Sequence, residues 1–131
     1  MDLHNKIKGS GRDLVLLHGW GMSAAVWEQT AVQLAPRFRV HSVDLPGYGA
    51  SPACHPYAAE AIVAALAAAL PAPLQVCGWS LGGQIALEWA LRKTHQIERL
   101  VLISSTPCFV NKPGWDCGTA ADVFELFRQE L

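Results

Sequence analysis

The chain has 131 residues, 51% of them hydrophobic, with 10 basic and 11 acidic side chains and a formal net charge of −1. That length and apolar fraction suffice for one domain with its own core, and scattered charges of both signs exclude the basic footprint of a nucleic-acid-binding protein. The longest apolar stretch, Ala58 to Leu70, is broken by Glu60 and falls short of the ~20 residues that cross a bilayer, and the first residues, with Asp2, His4, Lys6 and Lys8, lack the apolar run of a secretory signal; the expected setting is the cytoplasm, with neither membrane nor nucleic acid as partner.

Strand and helix patterns alternate along the chain. Leu3 to Lys8, polar on one side, reads as an edge strand and is followed by a turn at Gly9-Ser10-Gly11. Leu14-Val15-Leu16-Leu17 is a continuous apolar run, the pattern of a strand covered on both faces. After a loop from His18 to Met22, Ser23 is placed to cap a helix from Ala24 to Leu34, with Val26, Trp27, Ala31 and Leu34 near helical spacing. Phe38 to Val43 is a further strand and Asp44 to Ser51 a Pro/Gly loop. An Ala-rich helix covers about Tyr57 to Leu70, Leu74 to Cys77 is a strand, and a helix runs from Leu81 to about Arg92.

Leu100 to Ile103 is an apolar strand that expects a neighbour on its far side. Residues 105–118 form a loop. Thr119-Ala120-Ala121-Asp122 then has the spacing of a capping box, opening a helix with Val123, Phe124, Phe127 and Leu131 on one face. Repeated strand–helix–strand units predict an α/β fold, a mostly parallel sheet with helices on both faces. The unpaired last strand and the unpartnered stripe of the last helix lead to the expectation that the chain stops before the final strands of its sheet.

Gly78-Trp79-Ser80-Leu81-Gly82 carries the chemistry. It joins a predicted strand to a predicted helix, the setting of a nucleophile elbow, in which a strained turn lifts a serine hydroxyl above the sheet edge. Gly78 and Gly82 are required because a Cβ at either place would strike a neighbouring strand or helix. Ser80 is the expected nucleophile. A serine needs a base to take its proton and donors aimed at the oxyanion formed on attack at a carbonyl. One donor is the backbone N–H of Leu81, at the positive end of the following helix. The second is expected from the loop after the Leu14–Leu17 strand, at the N–H of Trp20.

Other candidates read differently. Trp20 and Trp79 flank the reaction centre, either as a wall for an acyl or alkyl group or as core packing. His18, at the strand end of the oxyanion loop, is suited to bracing that loop rather than to acting as base. His95 lies at the far end of the elbow helix, ~20 Å from Ser80 at 1.5 Å per residue. Asp44, followed by Leu-Pro-Gly-Tyr-Gly, shapes its loop. Cys54, Cys77, Cys108 and Cys117 show no CxxC spacing and read as reduced thiols. The five histidines do not pair at metal-ligand spacings, so neither a metal nor a cofactor is expected.

With these residues in place, the chain resembles the first half of an α/β-hydrolase fold protein. The resemblance rests on His18-Gly19-Trp20-Gly21, on the D-x-P-G-x-G-x-S loop from Asp44 to Ser51, and on G-x-S-x-G-G from Gly78 to Gly83. In finer detail it is similar to the methyl ester esterases of biotin synthesis that act on pimeloyl-acyl-carrier protein. The similar stretches are Leu-Val-Leu-Leu-His-Gly-Trp-Gly-Met, Val-Asp-Leu-Pro-Gly-Tyr-Gly, Gly-Trp-Ser-Leu-Gly-Gly, and Ser-Ser-Thr-Pro-Cys-Phe at 104–109. The resemblance implies a serine carboxylesterase acting on a small or carrier-protein-bound ester, with Trp20, Ser80 and Leu81 contacting the ester. It implies residues 1–106 as part of the hydrolase core and 107–131 as a loop and the start of a helical lid, with the family's triad aspartate and histidine coming from a second half. Another small-ester hydrolase of this fold, or a non-catalytic binding module, are the alternative readings.

Overall fold

The computed structural model describes residues 1–130. β1 (Asn5–Lys8), β2 (Arg12–Leu17), β3 (Phe38–Val43), β4 (Leu74–Trp79) and β5 (Ile97–Ile103) form one sheet in the order β1-β3-β2-β4-β5. β1 pairs antiparallel with β3, while the β2–β3, β2–β4 and β4–β5 pairs are parallel. The helices are α1 (Glu28–Leu34), α2 (Ala59–Ala69), α3 (Leu81–Arg92) and α4 (Ala121–Glu130).

The period of two along β2 divides the core between the two faces of the sheet. Val15 and Leu17 join Val76, Leu66, Ile85 and Trp89 in the cluster under α2 and α3, whereas Leu14 and Leu16 join Val40, Trp27 and Ala31 under α1. Leu14 to Leu17 are buried throughout, as the unbroken apolar run requires of a central strand. This arrangement puts the C-terminal ends of β2 and β4 side by side, with Leu17 in register with Gly78.

Several expectations are corrected in detail. The helix predicted from Ala24 begins instead with a 3-10 turn at Ala24–Trp27, and Ser23 caps that turn by accepting from the Ala25 N–H at 3.4 Å. The tighter turn leaves Val26 exposed, outside the buried stripe of Trp27 and Ala31. β5 starts at Ile97, earlier than the apolar run, because an edge strand accommodates Glu98 and Arg99 in solvent. Among the described residues β5 has no neighbour beyond β4, and Val101, Leu102 and Ile103 remain exposed. The capping box at Thr119 does not form: the Thr119 N–H, from which the Asp122 side chain would accept, donates instead to the Phe109 carbonyl at 2.7 Å, and Asp122 Oδ1 accepts from the Val123 N–H at 2.9 Å. α4 buries no residue fully, but its apolar stripe has a partner, since Phe124 packs on Phe109 with ring centroids 6.3 Å apart. Leu131, assigned to that stripe, lies outside the described residues. No helix among them is long and apolar enough to cross a membrane.

Candidate active site

The turn between β4 and α3 is set by steric exclusion. Ser80 sits there at φ 55°, ψ −117°, a conformation that costs a non-glycine residue on the order of 1–3 kcal/mol. It persists because its surroundings leave no alternative. A Cβ on Gly78 would be driven into the Gly82 carbonyl, and one on Gly82 into the Leu17 and His18 carbonyls at the end of β2. α3 therefore packs directly against both strands, with its first turn over the end of β2.

A buttress from β5 completes the turn. The Ser80 N–H donates to the Ile103 carbonyl at 2.9 Å, and Ser105 Oγ donates to the Ser80 carbonyl at 2.8 Å. The same carbonyl accepts from the N–H groups of Gly83 and Gln84. Ser105 did not stand out in the sequence, where it is one of several small residues after a strand. Ser105→Ala is expected to destabilise the protein by about 1 kcal/mol, the usual net value of one such bond. A urea unfolding midpoint unchanged from the parent would show that the bond contributes nothing.

The loop after β2 passes beside Ser80, since a Cβ on Gly19 would lie 3.4 Å from Ser80 Cβ and 3.5 Å from the Trp79 ring. His18, fully buried, braces this loop. Its Nε2 accepts from the Leu45 N–H at 3.0 Å, which leaves the proton on Nδ1, donated to the Gly19 carbonyl at 2.8 Å. Both ring nitrogens are thus engaged, and neither is free to take a proton from Ser80. Burial pushes the His18 pKa down, against the Gly19 bond and the charge of Asp44, which pull it up. The neutral ring is therefore favoured by folding, and the stability it gives is complete above the unfolded value of about 6.5 and lost as pH falls below it. Stability is expected to fall between pH 7 and pH 5.5, with a smaller slope in His18→Leu; equal slopes in denaturant titrations would overturn the assignment.

Asp44 also shapes its loop, as expected. Its carboxylate accepts from the Ala24 N–H at 2.6 Å, the Ala50 N–H at 3.0 Å and His4 Nδ1 at 2.8 Å. Burial opposes the charged form, but these bonds outweigh it and hold Asp44 below the usual carboxylate range. The remaining histidines are elsewhere: His41 is paired with Asp13, and His55 and His95 are exposed.

Ser80 opens onto a cavity of about 380 Å³ walled by Trp20, Tyr48, Leu81, Ile85, Phe109 and Phe124. Trp79 does two things at once: it packs against the cluster under α1 and lines a second hollow of about 280 Å³ shared with Trp20, Ser80 and Phe127. No histidine lines either space among the described residues. Tyr48, Phe109 and Phe124 were not foreseen as site residues, because they come from separate segments that only the tertiary fold brings together.

A mostly parallel sheet with helices on both faces and a strained serine between strand and helix defines a class of hydrolase fold. The sequence model of the alpha/beta hydrolase family matches residues 14–131, and the chain belongs to that family. It is 46% identical over 131 residues to a pimeloyl-acyl-carrier-protein methyl ester esterase of Chromobacterium violaceum, covering 100% of this chain and 52% of the relative. It is 43% identical over 129 residues to the protein of that name from Nitrosomonas europaea, covering 98% and 51%. Among solved structures, an esterase from Exiguobacterium antarcticum superimposes with a TM-score of 0.85 at 25% identity, covering 98% of this chain and 51% of that one. The chain spans about half the length of these relatives.

Proposed function

We propose that Ser80 is the nucleophile of a serine carboxylesterase that hydrolyses the methyl ester of pimeloyl-acyl-carrier protein in the cytoplasm. The observation that carries the reading is the strained backbone of Ser80 at the mouth of an aromatic cavity, between a strand and a helix whose first N–H groups have no intrahelical acceptor. In this reading Ser80 Oγ attacks the ester carbonyl. The Leu81 and Trp20 N–H groups receive the oxyanion, and methanol leaves with a proton returned by the base. Water then releases the acid from the acyl-enzyme. Gly78 and Gly82 serve by letting the turn form. The helix α4 and the 107–120 loop act as the beginning of a lid over the acyl group.

The substrate is carried over from the relatives' names, and an apolar cavity suits a medium-length acyl chain. No histidine among the described residues lines the spaces beside Ser80, so no proton acceptor for it is assigned among them. In a protein of the relatives' full length, Ser80→Ala is expected to lower methanol release from the carrier-bound methyl ester by at least ~10³-fold, with the fold intact by circular dichroism. Turnover that survives the substitution would overturn the reading.

A further inference from the structure

Three polar side chains of the cavity have hydrogen bonds directed into the protein. The Tyr57 hydroxyl donates to the Pro46 carbonyl at 3.1 Å, the Tyr48 hydroxyl is in hydrogen-bonding contact with Tyr57, and Gln84 Nε2 donates to the Pro107 carbonyl at 3.2 Å. Beside this cavity lies a second space of about 370 Å³ that shares Tyr57, Ile62, Leu81, Gln84 and Ile85 with it. Among the described residues, the one charged residue lining these two adjoining spaces is acidic. It is Glu88, which binds Arg92 Nε at 2.9 Å, while Arg92 Nη2 is taken by Glu60 at 2.7 Å. The outlet therefore carries two carboxylates to one guanidinium. No lysine, arginine or histidine lines either space among the described residues.

From this arrangement we infer that the acyl arm of the site admits only uncharged chains, and that a chain bearing an ionised carboxylate at its far end is excluded. An ion moved from water into an apolar space needs a counter-charge or several donors to replace its hydration. Apart from the Ser80 hydroxyl, the walls here offer aromatic faces, aliphatic carbons and tyrosine hydroxyls already bonded to protein, and the outlet repels an anion. A neutral ester, thioester or amide at the same position loses far less on transfer. The inference rests on the proposed esterase reading for its substrate class, since it specifies which acyl groups reach Ser80, but it concerns binding and stands apart from turnover.

The test uses three methyl esters of heptanedioic acid, differing only at the other end: a second methyl ester, a primary amide and a free carboxylate. Each is titrated at pH 7.5 into the chain carrying Ser80→Ala, which prevents hydrolysis, with chemical shifts of the Trp20 and Phe124 rings as the readout. The diester and the amide are expected to bind, and the carboxylate to bind about tenfold more weakly than the amide of the same shape. Gln84→Arg, which places a cation on the acyl arm, is expected to close most of that gap. A carboxylate held within threefold of the amide, including one seated in reverse against the oxyanion donors, would overturn the inference, as would the absence of any shift with all three probes. If selectivity holds while Ser80→Ala spares hydrolysis in the longer protein, the esterase reading fails and the charge selectivity survives.

Discussion

Asp44→Ala is expected to destabilise the fold by about 3 kcal/mol, read as a loss of unfolding free energy in urea. Asp44 is 3% exposed, and removal of its carboxylate leaves the N–H groups of Ala24 and Ala50 without acceptors and the His4 ring without its partner. An unmet buried donor costs about 1–3 kcal/mol, which applies in full to the Ala24 N–H, and the part-buried bonds from Ala50 and His4 add to it. The damage spreads because Asp44 joins three segments. Its own N–H donates to the His4 carbonyl, its carbonyl accepts from Ser51 Oγ, and Ala24 begins the turn that follows the Trp20 loop. Asp44→Asn keeps one oxygen acceptor and is expected to lose about half as much. Because the folded pKa lies below the unfolded one, Asp44 contributes its full stability above about pH 4 and loses it as pH falls through the folded value. The parent should therefore destabilise more steeply below pH 4 than Asp44→Ala does. Equal acid sensitivity would show that the carboxylate is not held in its charged form by the fold.

Gly82→Ala is the second large effect, expected at about 3 kcal/mol, or a fall in melting temperature of about 10 °C. Alanine normally favours a helix, so intrinsic propensity predicts a gain. Packing reverses the sign. The added Cβ meets the carbonyl oxygens of Leu17 and His18, which belong to the backbone of β2 and its exit and cannot rotate away. α3 must move off the sheet, carrying Leu81 with it and opening the space beside the Trp20 loop. A melting temperature equal to or above that of the parent would overturn the steric account. The same substitution made at Gly19, where a Cβ has ordinary contacts of 3.4 Å and more, serves as a control with little expected loss.

Much of the fold was legible because buried parallel strands write themselves as unbroken apolar runs. β3 and α3 were readable to the residue, and the central β2 was readable from Leu14 to Leu17. The elbow was legible for a different reason: glycine at two fixed distances from a serine has a steric purpose that survives in the linear sequence. The edges were harder. β1 and β5 each carry charged residues that a solvent-facing edge tolerates, so hydropathy misplaced where they begin. Ser23 capped as expected, but whether a capped turn closes as α or 3-10 depends on Trp27 finding its place against β3, which no local pattern encodes. The cavity wall was the least readable part. Tyr48, Tyr57, Phe109 and Phe124 lie in loops and at a helix start, where aromatic residues have no period to reveal them.

The two sides of the cavity differ in how they are held. Its floor, with Ser80, Leu81 and Ile85, belongs to the sheet and to α3, whose amides are tied into the main core. Its roof is Phe109 and Phe124, on a loop and on a helix that buries no residue completely. Amide hydrogens in α4 should thus exchange through local opening at small free-energy cost, while those of β2 and β4 wait for global unfolding. Parting the Phe109 and Phe124 rings would leave the strained turn at Ser80 in position. The wall that shapes the cavity and the turn that strains its serine would in this way open at different free-energy costs within one small domain.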